Sequence, residues 1–141
     1  MAGRPEMVAV RGHRDTCLAK GGEWNRFSRR TGGTFVEKCC HFWDLMRLIL
    51  RSDPVRVFAS ARIAVNHLAE RYDGEAPAIL APGFFIVAFP SGSRGMLDLC
   101  SFSAGPTCHA LASFTGPMPR LSAKVLPQPS FPPHSRVPTT A

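Results

Sequence analysis

The chain has 141 residues, 45% of them hydrophobic and 19% charged, with a formal net charge of +7. That length suits about one domain, and the apolar share excludes a wholly disordered chain. The five cysteines are odd in number and irregularly spaced, which argues against a disulfide framework, and the longest apolar run, GFFIVAF, is too short to span a bilayer.

The opening MAGRPEMVAV lacks a basic segment followed by an apolar stretch of signal-peptide length, so a reducing, cytoplasmic setting is the expectation. Residues 7–11 (MVAVR) form a short β-branched run and read as a strand. Residues 12–33 are polar and glycine-rich, a long loop of the kind that is functional or disordered. Within it, WNRFSRR sets Arg26, Arg29 and Arg30 beside Trp24 and Phe27. Basic residues among aromatics can grip phosphates and stack bases. The other cations are scattered and no helical face collects them, so nucleic acid is the disfavoured partner.

Residues 34–50 carry the helical signal. Thr34 followed by Glu37 has the spacing of a capping box, Arg47 and Arg51 suit the far end of the helix dipole, and Asp53-Pro54 marks the stop. Nearly every face of this long helix is apolar, which predicts burial on more than one side. Residues 54–63 (PVRVFASARI) alternate as a half-buried strand does, and residues 66–78 are irregular. Residues 83–89 and 94–102 read as two strands joined through the turn-forming PSGS. The order predicts an α+β fold, a partial open antiparallel sheet packed on one long helix. From residue 103 prolines recur at 106, 117, 119, 127, 129, 132, 133 and 138, which predicts a disordered, proline-rich tail. The expected division is therefore a domain over residues 1–102 and a tail over 103–141.

Glu37 and His41 are four residues apart and Asp44 is three further on, so a continuous helix places them near one another. A carboxylate beside a histidine can fix its tautomer and raise its basicity, as a general base requires. The plainer reading is a capping glutamate and a hydrogen-bonded, buried histidine. No metal site is expected. Cys39 and Cys40 point about 100° apart on a helix, and Cys100, Cys108 and His109 form no paired-ligand motif.

The stretch GEWNRFSRRTGGTFVEKCCHFWDLMRLIL resembles the active-site helix of the Gfo/Idh/MocA oxidoreductases, relatives of glucose–fructose oxidoreductase and inositol dehydrogenase. The resemblance rests on Gly32-Gly33, Glu37, Cys39, His41 and Asp44-Leu45, and on a strand order that follows the family's C-terminal substrate domain from about residue 7 to residue 102. It implies that His41 acts as acid/base on a substrate hydroxyl and that Glu37 supports it, although the family more commonly has aspartate there. Trp24, Asn25, Arg26 and Asp44 would border the substrate, a sugar, cyclitol or similar hydroxylated small molecule. NAD or NADP is implied through a Rossmann domain whose G-x-G-x-x-G turn this sequence lacks, so the chain by itself is expected to hold no cofactor and to be inactive. The partners implied are a separate cofactor domain or a second copy of the chain. The alternative to a catalytic fragment is a non-catalytic oligomerisation or interaction module.

Overall fold

A computed structural model describes residues 4–14, 21–103, 109–117 and 121–125. Strands β1 (Met7–His13), β2 (Arg56–Ala61), β3 (Gly83–Ala88), β4 (Arg94–Cys100), β5 (His109–Thr115) and β6 (Leu121–Val125) form one open sheet in the order β2-β3-β4-β1-β5-β6. The helical part lies between β1 and β2. It comprises a 3-10 segment, Gly21–Arg26, and the helices α1 (Ser28–Thr31), α2 (Thr34–Glu37) and α3 (Cys40–Leu50). The fold is α+β, as expected, with three differences from the sequence reading.

The sheet is mixed, not antiparallel throughout. β1 runs parallel to β4 and antiparallel to β5, because the helical connection separates β1 from the meander β2-β3-β4. A long connection of this kind allows parallel pairing, whereas a tight hairpin cannot. β2 is an edge strand with all six residues exposed, not a half-buried one.

The expected long helix is broken at Lys38–Cys39. Gly33, at φ 88° and ψ 172°, occupies the N-cap of α2 without a side-chain cap bond. Thr34 is therefore the first helical residue and is buried, and Glu37 pairs with Lys38 Nζ at 2.8 Å. The indole of Trp43 donates to the Phe35 carbonyl at 3.0 Å, an acceptor that an unbroken helix would offer to the amide four residues on, at Cys39. The ladder restarts at the Cys39 carbonyl, which accepts from Phe42 N at 2.9 Å and Trp43 N at 3.1 Å.

The third difference lies in the proline-rich half. His109–Thr115 and Leu121–Val125 are strands, so ordered structure extends well beyond residue 102. Neither strand contains proline; Pro106, Pro117, Pro119 and Pro127 flank them. The prolines punctuate the strands without interrupting a ladder. The expectation of disorder for residues 126–141 lies outside the described residues.

α3 covers one face of the sheet through Phe42, Met46 and Leu50, spaced by four and all buried. Beneath them run two cross-strand rows, Val8, Gly95 and Val87, then Val10, Leu97 and Phe85. Phe35 and Trp43 meet Phe85 edge-on, with centroids 4.5 and 5.3 Å away. Burying each large apolar side chain contributes about 1.5–3 kcal/mol. Two glycines make the approach possible. A Cβ on Gly95 would stand 2.8 Å from Met46 Sδ, and one on Gly12 would stand 3.1 Å from the Phe42 ring. The opposite face carries Phe58, Phe84, Ile86 and Met96 largely in the open.

Two methionines thus report on the two faces. Met46→Ala should lower unfolding free energy by about 2–5 kcal/mol, the usual cost of truncating a buried side chain. Met96→Ala should cost less than about 1 kcal/mol, since Met96 is 39% exposed. Urea denaturation of both variants checks the assignment, and equal losses would contradict it.

Candidate functional site

His41 is the second residue of α3, one turn before the buried Met46 side of the helix and beside the end of β1. The chain leaves β1 at Arg14, whose amide donates to the Cys100 carbonyl at 2.9 Å and whose carbonyl accepts from Ser103 N at 3.0 Å. These two bonds fix the backbone of Arg14 alongside β4. Its guanidinium Nη2 lies 3.4 Å from His41 Nε2 and 5.6 Å, measured from Cζ, from the centre of the Phe42 ring. The His41 ring itself packs on Phe42 with centroids 4.0 Å apart.

Partial burial, and after it the positive charge of Arg14, hold the His41 imidazole below its ordinary value. Both act in the same direction, because each disfavours the imidazolium. A neutral Nε2 facing an N–H of Arg14 is an acceptor. A ring in that state at neutral pH can take a proton from an acidic hydroxyl once the arginine gives way to a ligand. Arg14 had no signal in the sequence. It stands 27 positions before His41, and the packing of α3 over β1, with Phe42 against Gly12, brings the two together.

The other residues singled out from the sequence are less concentrated. Glu37 is on the preceding helix, half-buried, with Lys38 Nζ as its described ion-pair partner. The break at Lys38–Cys39 means that the regular four-residue offset from His41 does not apply. Asp44 is 76% exposed and faces Arg47, one turn on in α3, at 3.4 Å; Arg47 also bonds Asp53 at 2.6 Å. Trp24 is partly exposed, whereas Asn25 and Arg26 are buried. The Arg26 Nε donates to Tyr72 Oη at 3.2 Å and lies 3.4 Å from Glu70 Oε2.

The basic cluster is equally committed to the protein. Arg29 forms a two-pronged pair with Glu75, its Nη2 donating to Oε2 at 2.7 Å. Arg29 and Arg30 both lie over the Phe27 ring. Among the described residues no group of three or more His, Cys, Asp or Glu side chains could hold a metal ion. Cys39 is buried, Cys40 exposed and Cys100 intermediate, all as free thiols. No helix among the described residues is long and apolar enough to cross a membrane. An apolar crevice of about 320 Å³ opens between α3 and β2, walled by Phe35, Trp43, Met46, Val57 and Phe85. It is the space left where α3 stops short of the edge strand, and neither His41 nor Glu37 is among its walls.

Residues 1–124 match the family model described as the oxidoreductase family, C-terminal alpha/beta domain, of the Gfo/Idh/MocA group. Solved structures share the fold. A putative myo-inositol dehydrogenase from Sinorhizobium meliloti is 21% identical with a TM-score of 0.68, the match covering 86% of this chain and 33% of that one. Myo-inositol 2-dehydrogenase from Lactobacillus plantarum is 19% identical with a TM-score of 0.67, covering 86% and 34%. The WlbA dehydrogenase from Bordetella pertussis, in complex with NADH and UDP-GlcNAcA, is 19% identical with a TM-score of 0.68, covering 87% and 36%. The chain spans about a third of the length of each of these structures.

The electrostatics of the His41 site can be measured directly. Arg14→Met keeps the length of the side chain but removes the cation, so the His41 midpoint should move up towards the ordinary imidazole value. NMR titration of the His41 ring protons in both proteins is the check. An unmoved midpoint would leave burial as the sole cause of the depression.

Proposed function

The chain belongs to the Gfo/Idh/MocA oxidoreductase family through that family's C-terminal alpha/beta domain, and from that premise we propose that it is the substrate side of an NAD(P)-dependent oxidoreductase. Its substrate is a hydroxylated small molecule of the sugar or cyclitol class. What carries the reading is a neutral imidazole, depressed by burial and by Arg14, on the helix that packs against the sheet. Oxidising an alcohol removes a proton from the hydroxyl oxygen and a hydride from its carbon. His41 takes the proton at Nε2, and Arg14 turns from His41 to the substrate oxygens. Glu37 bears on the histidine from the preceding helix. Trp24, Asn25 and Asp44 border the substrate, and Arg26 backs that wall from beneath.

The hydride acceptor is not one that this chain's described residues fit. No strand among them leads through a glycine-rich turn into a helix that could present its amides to a pyrophosphate. α1 and α2 are single turns, and α3 begins after Cys39. We therefore assign the cofactor to a separate domain and no turnover to the chain alone. The setting that goes with this chemistry is cytoplasmic, in keeping with three free thiols among the described residues.

A chain completed with a matching cofactor domain tests the role of His41. His41→Ala should lower kcat by about 10²–10⁴, the contribution of a positioned base, with a smaller effect on substrate binding. Glu37→Gln should slow turnover less. Loss of activity that merely follows loss of folded protein, read as melting temperature on the same samples, would return His41 to a packing role.

A second reading, a homo-oligomerisation module, is favoured by one observation. The sheet face opposite α3 carries the row Met96, Ile86, Phe58 in cross-strand register, with Phe84 beside it, and these side chains are 39–59% exposed. Next to them Asp98 accepts from Arg11 Nε at 2.9 Å and lies 3.1 Å from His13 Nε2. An apolar field edged by satisfied charges suits a second copy of the same face. Sedimentation should show a dimer that Ile86→Glu converts to monomer without lowering the melting temperature. A wild-type monomer at high concentration would remove this reading.

A further inference from the structure

Two connecting segments are joined by a polar network, built from the buried side chains of Arg26 and His67 around a partly exposed Glu70, for which the proton-transfer reading has no use. The first is the 3-10 segment Gly21–Arg26 with α1 behind it. The second is residues 66–78, between β2 and β3. Both oxygens of Glu70 are engaged. Oε2 accepts from the Tyr72 hydroxyl at 2.7 Å and lies 3.4 Å from Arg26 Nε; Oε1 lies 2.7 Å from His67 Nδ1. The side chains of Arg26 and His67 are each only 5% exposed. Arg26 therefore faces Glu70 from the 3-10 segment, and His67 and Tyr72 face it from its own loop.

Three further contacts join the same two segments. Ala78 N donates to the Arg26 carbonyl at 3.0 Å. The Tyr72 ring meets Phe27 edge-on with centroids 6.1 Å apart, and the Arg29–Glu75 pair closes the outer end. None of these residues belongs to the core cluster beneath α3.

The backbone on both sides of the network is strained. Glu23 (φ 51°), Val65 (φ 61°), His67 (φ 64°) and Asp73 (φ 49°) all adopt the left-handed region without being glycine. Side-chain-bearing residues hold that region only where their surroundings over-determine it, and a β-branched residue such as Val65 is a clear outlier there. A buried arginine keeps its charge, so removing Glu70 takes away a carboxylate that balances it. The network is thus a hold on both segments.

We propose that Glu70 and Tyr72 are positioning residues for the turn formed by Trp24, Asn25 and Arg26, gripping the Arg26 side chain so that this turn and residues 66–78 open together as one unit, separately from the sheet. Their relevance to substrate rests on the reading of that turn as a substrate wall; the grip itself does not. The chemistry of Glu70 makes the hold dependent on pH. Burial pushes its carboxyl up, but the bonds from His67 and Tyr72 and the charge of Arg26 outweigh this and hold it below the ordinary carboxylate value. A carboxylate with a depressed folded-state value contributes stability above its unfolded value and loses that contribution as pH falls through the folded one. The hold therefore weakens on acidification.

Amide hydrogen exchange on the whole chain, corrected for intrinsic rates, is the test. Tyr72→Phe keeps the ring on Phe27 and removes only the hydroxyl. It should speed exchange in residues 23–30 and 70–78 by about five- to 150-fold, the range of the two hydrogen bonds that the hydroxyl makes to Arg26 and Glu70, and leave α3 unchanged. Glu70→Gln should speed the same segments at neutral pH and flatten the extra opening that the wild-type protein shows on acidification. Unchanged rates in residues 23–30, or an equal rise in α3, overturn the proposal and leave a general stabiliser. Should Glu70→Gln not fold, the wild-type pH series decides: no added opening of residues 23–30 on acidification overturns it as well. None of these readings involves turnover, so a failure of His41 as base and a failure of the hold are told apart.

Discussion

The closeness of one helix face to the sheet governs the rest of the molecule. α3 settles against β1 and β4 because the positions beneath Phe42 and Met46 are glycines, Gly12 and Gly95. Larger residues would lift the helix, and with it the first turn that bears His41. Arg14 stays where the sheet puts it, held through its backbone against Cys100 and Ser103. Core packing therefore sets the backbone positions of Arg14 and His41, one at the end of the strand and the other on the helix, and their 3.4 Å contact is made by two exposed side chains.

The break at Lys38–Cys39 follows from the same core. A straight helix over residues 34–50 would have to send Phe35, Cys39, Trp43 and Met46 along one gently turning stripe. Instead α2 stops after a single turn, Cys39 is fully buried, and the Trp43 indole takes the Phe35 carbonyl. The aromatic side chains of Phe35 and Trp43 then converge on Phe85 from two helices. The local hydrogen-bond ladder gives way, and the aromatic cluster and the indole bond offset that loss.

Much of this was legible in the residues. Apolar spacing located the helical stretch and its end near Leu50, a β-branched run located β1, and two stretches joined through the turn-forming PSGS located β3 and β4. The motif from Gly32 to Leu45 pointed to the right family. What was not legible has physical reasons. The parallel pairing of β1 with β4 joins residues 87 positions apart, as Arg11 and Asp98 show, and no local pattern encodes it. The strands β5 and β6 were hidden by composition, since prolines beside a strand read the same as prolines within disorder until the spacing between them is examined. Arg26 looked like a ligand because it sits among aromatics and other cations, but its partners Glu70 and Tyr72 lie 44 and 46 positions further on. The fate of His41 as base or packing residue was not separable by spacing, because what depresses it is partial burial and, after it, Arg14 at the end of β1.

The position of the first strand bears on how the chain is assembled at the ribosome. β1 emerges before all the other strands yet lies inside the sheet, between β4 and β5. Its partners begin at residues 94 and 109, so during synthesis it waits with both edges open while some 80 residues are added, several seconds at about 5–20 residues per second. The meander β2-β3-β4 can close first from short-range pairings, leaving a three-stranded template whose free β4 edge captures β1. Only the arrival of β5 then closes the second edge. An unpaired strand of sequence MVAVRGH is a target for foreign pairing during that interval. In this topology the first strand to be made is paired only after the meander that follows it.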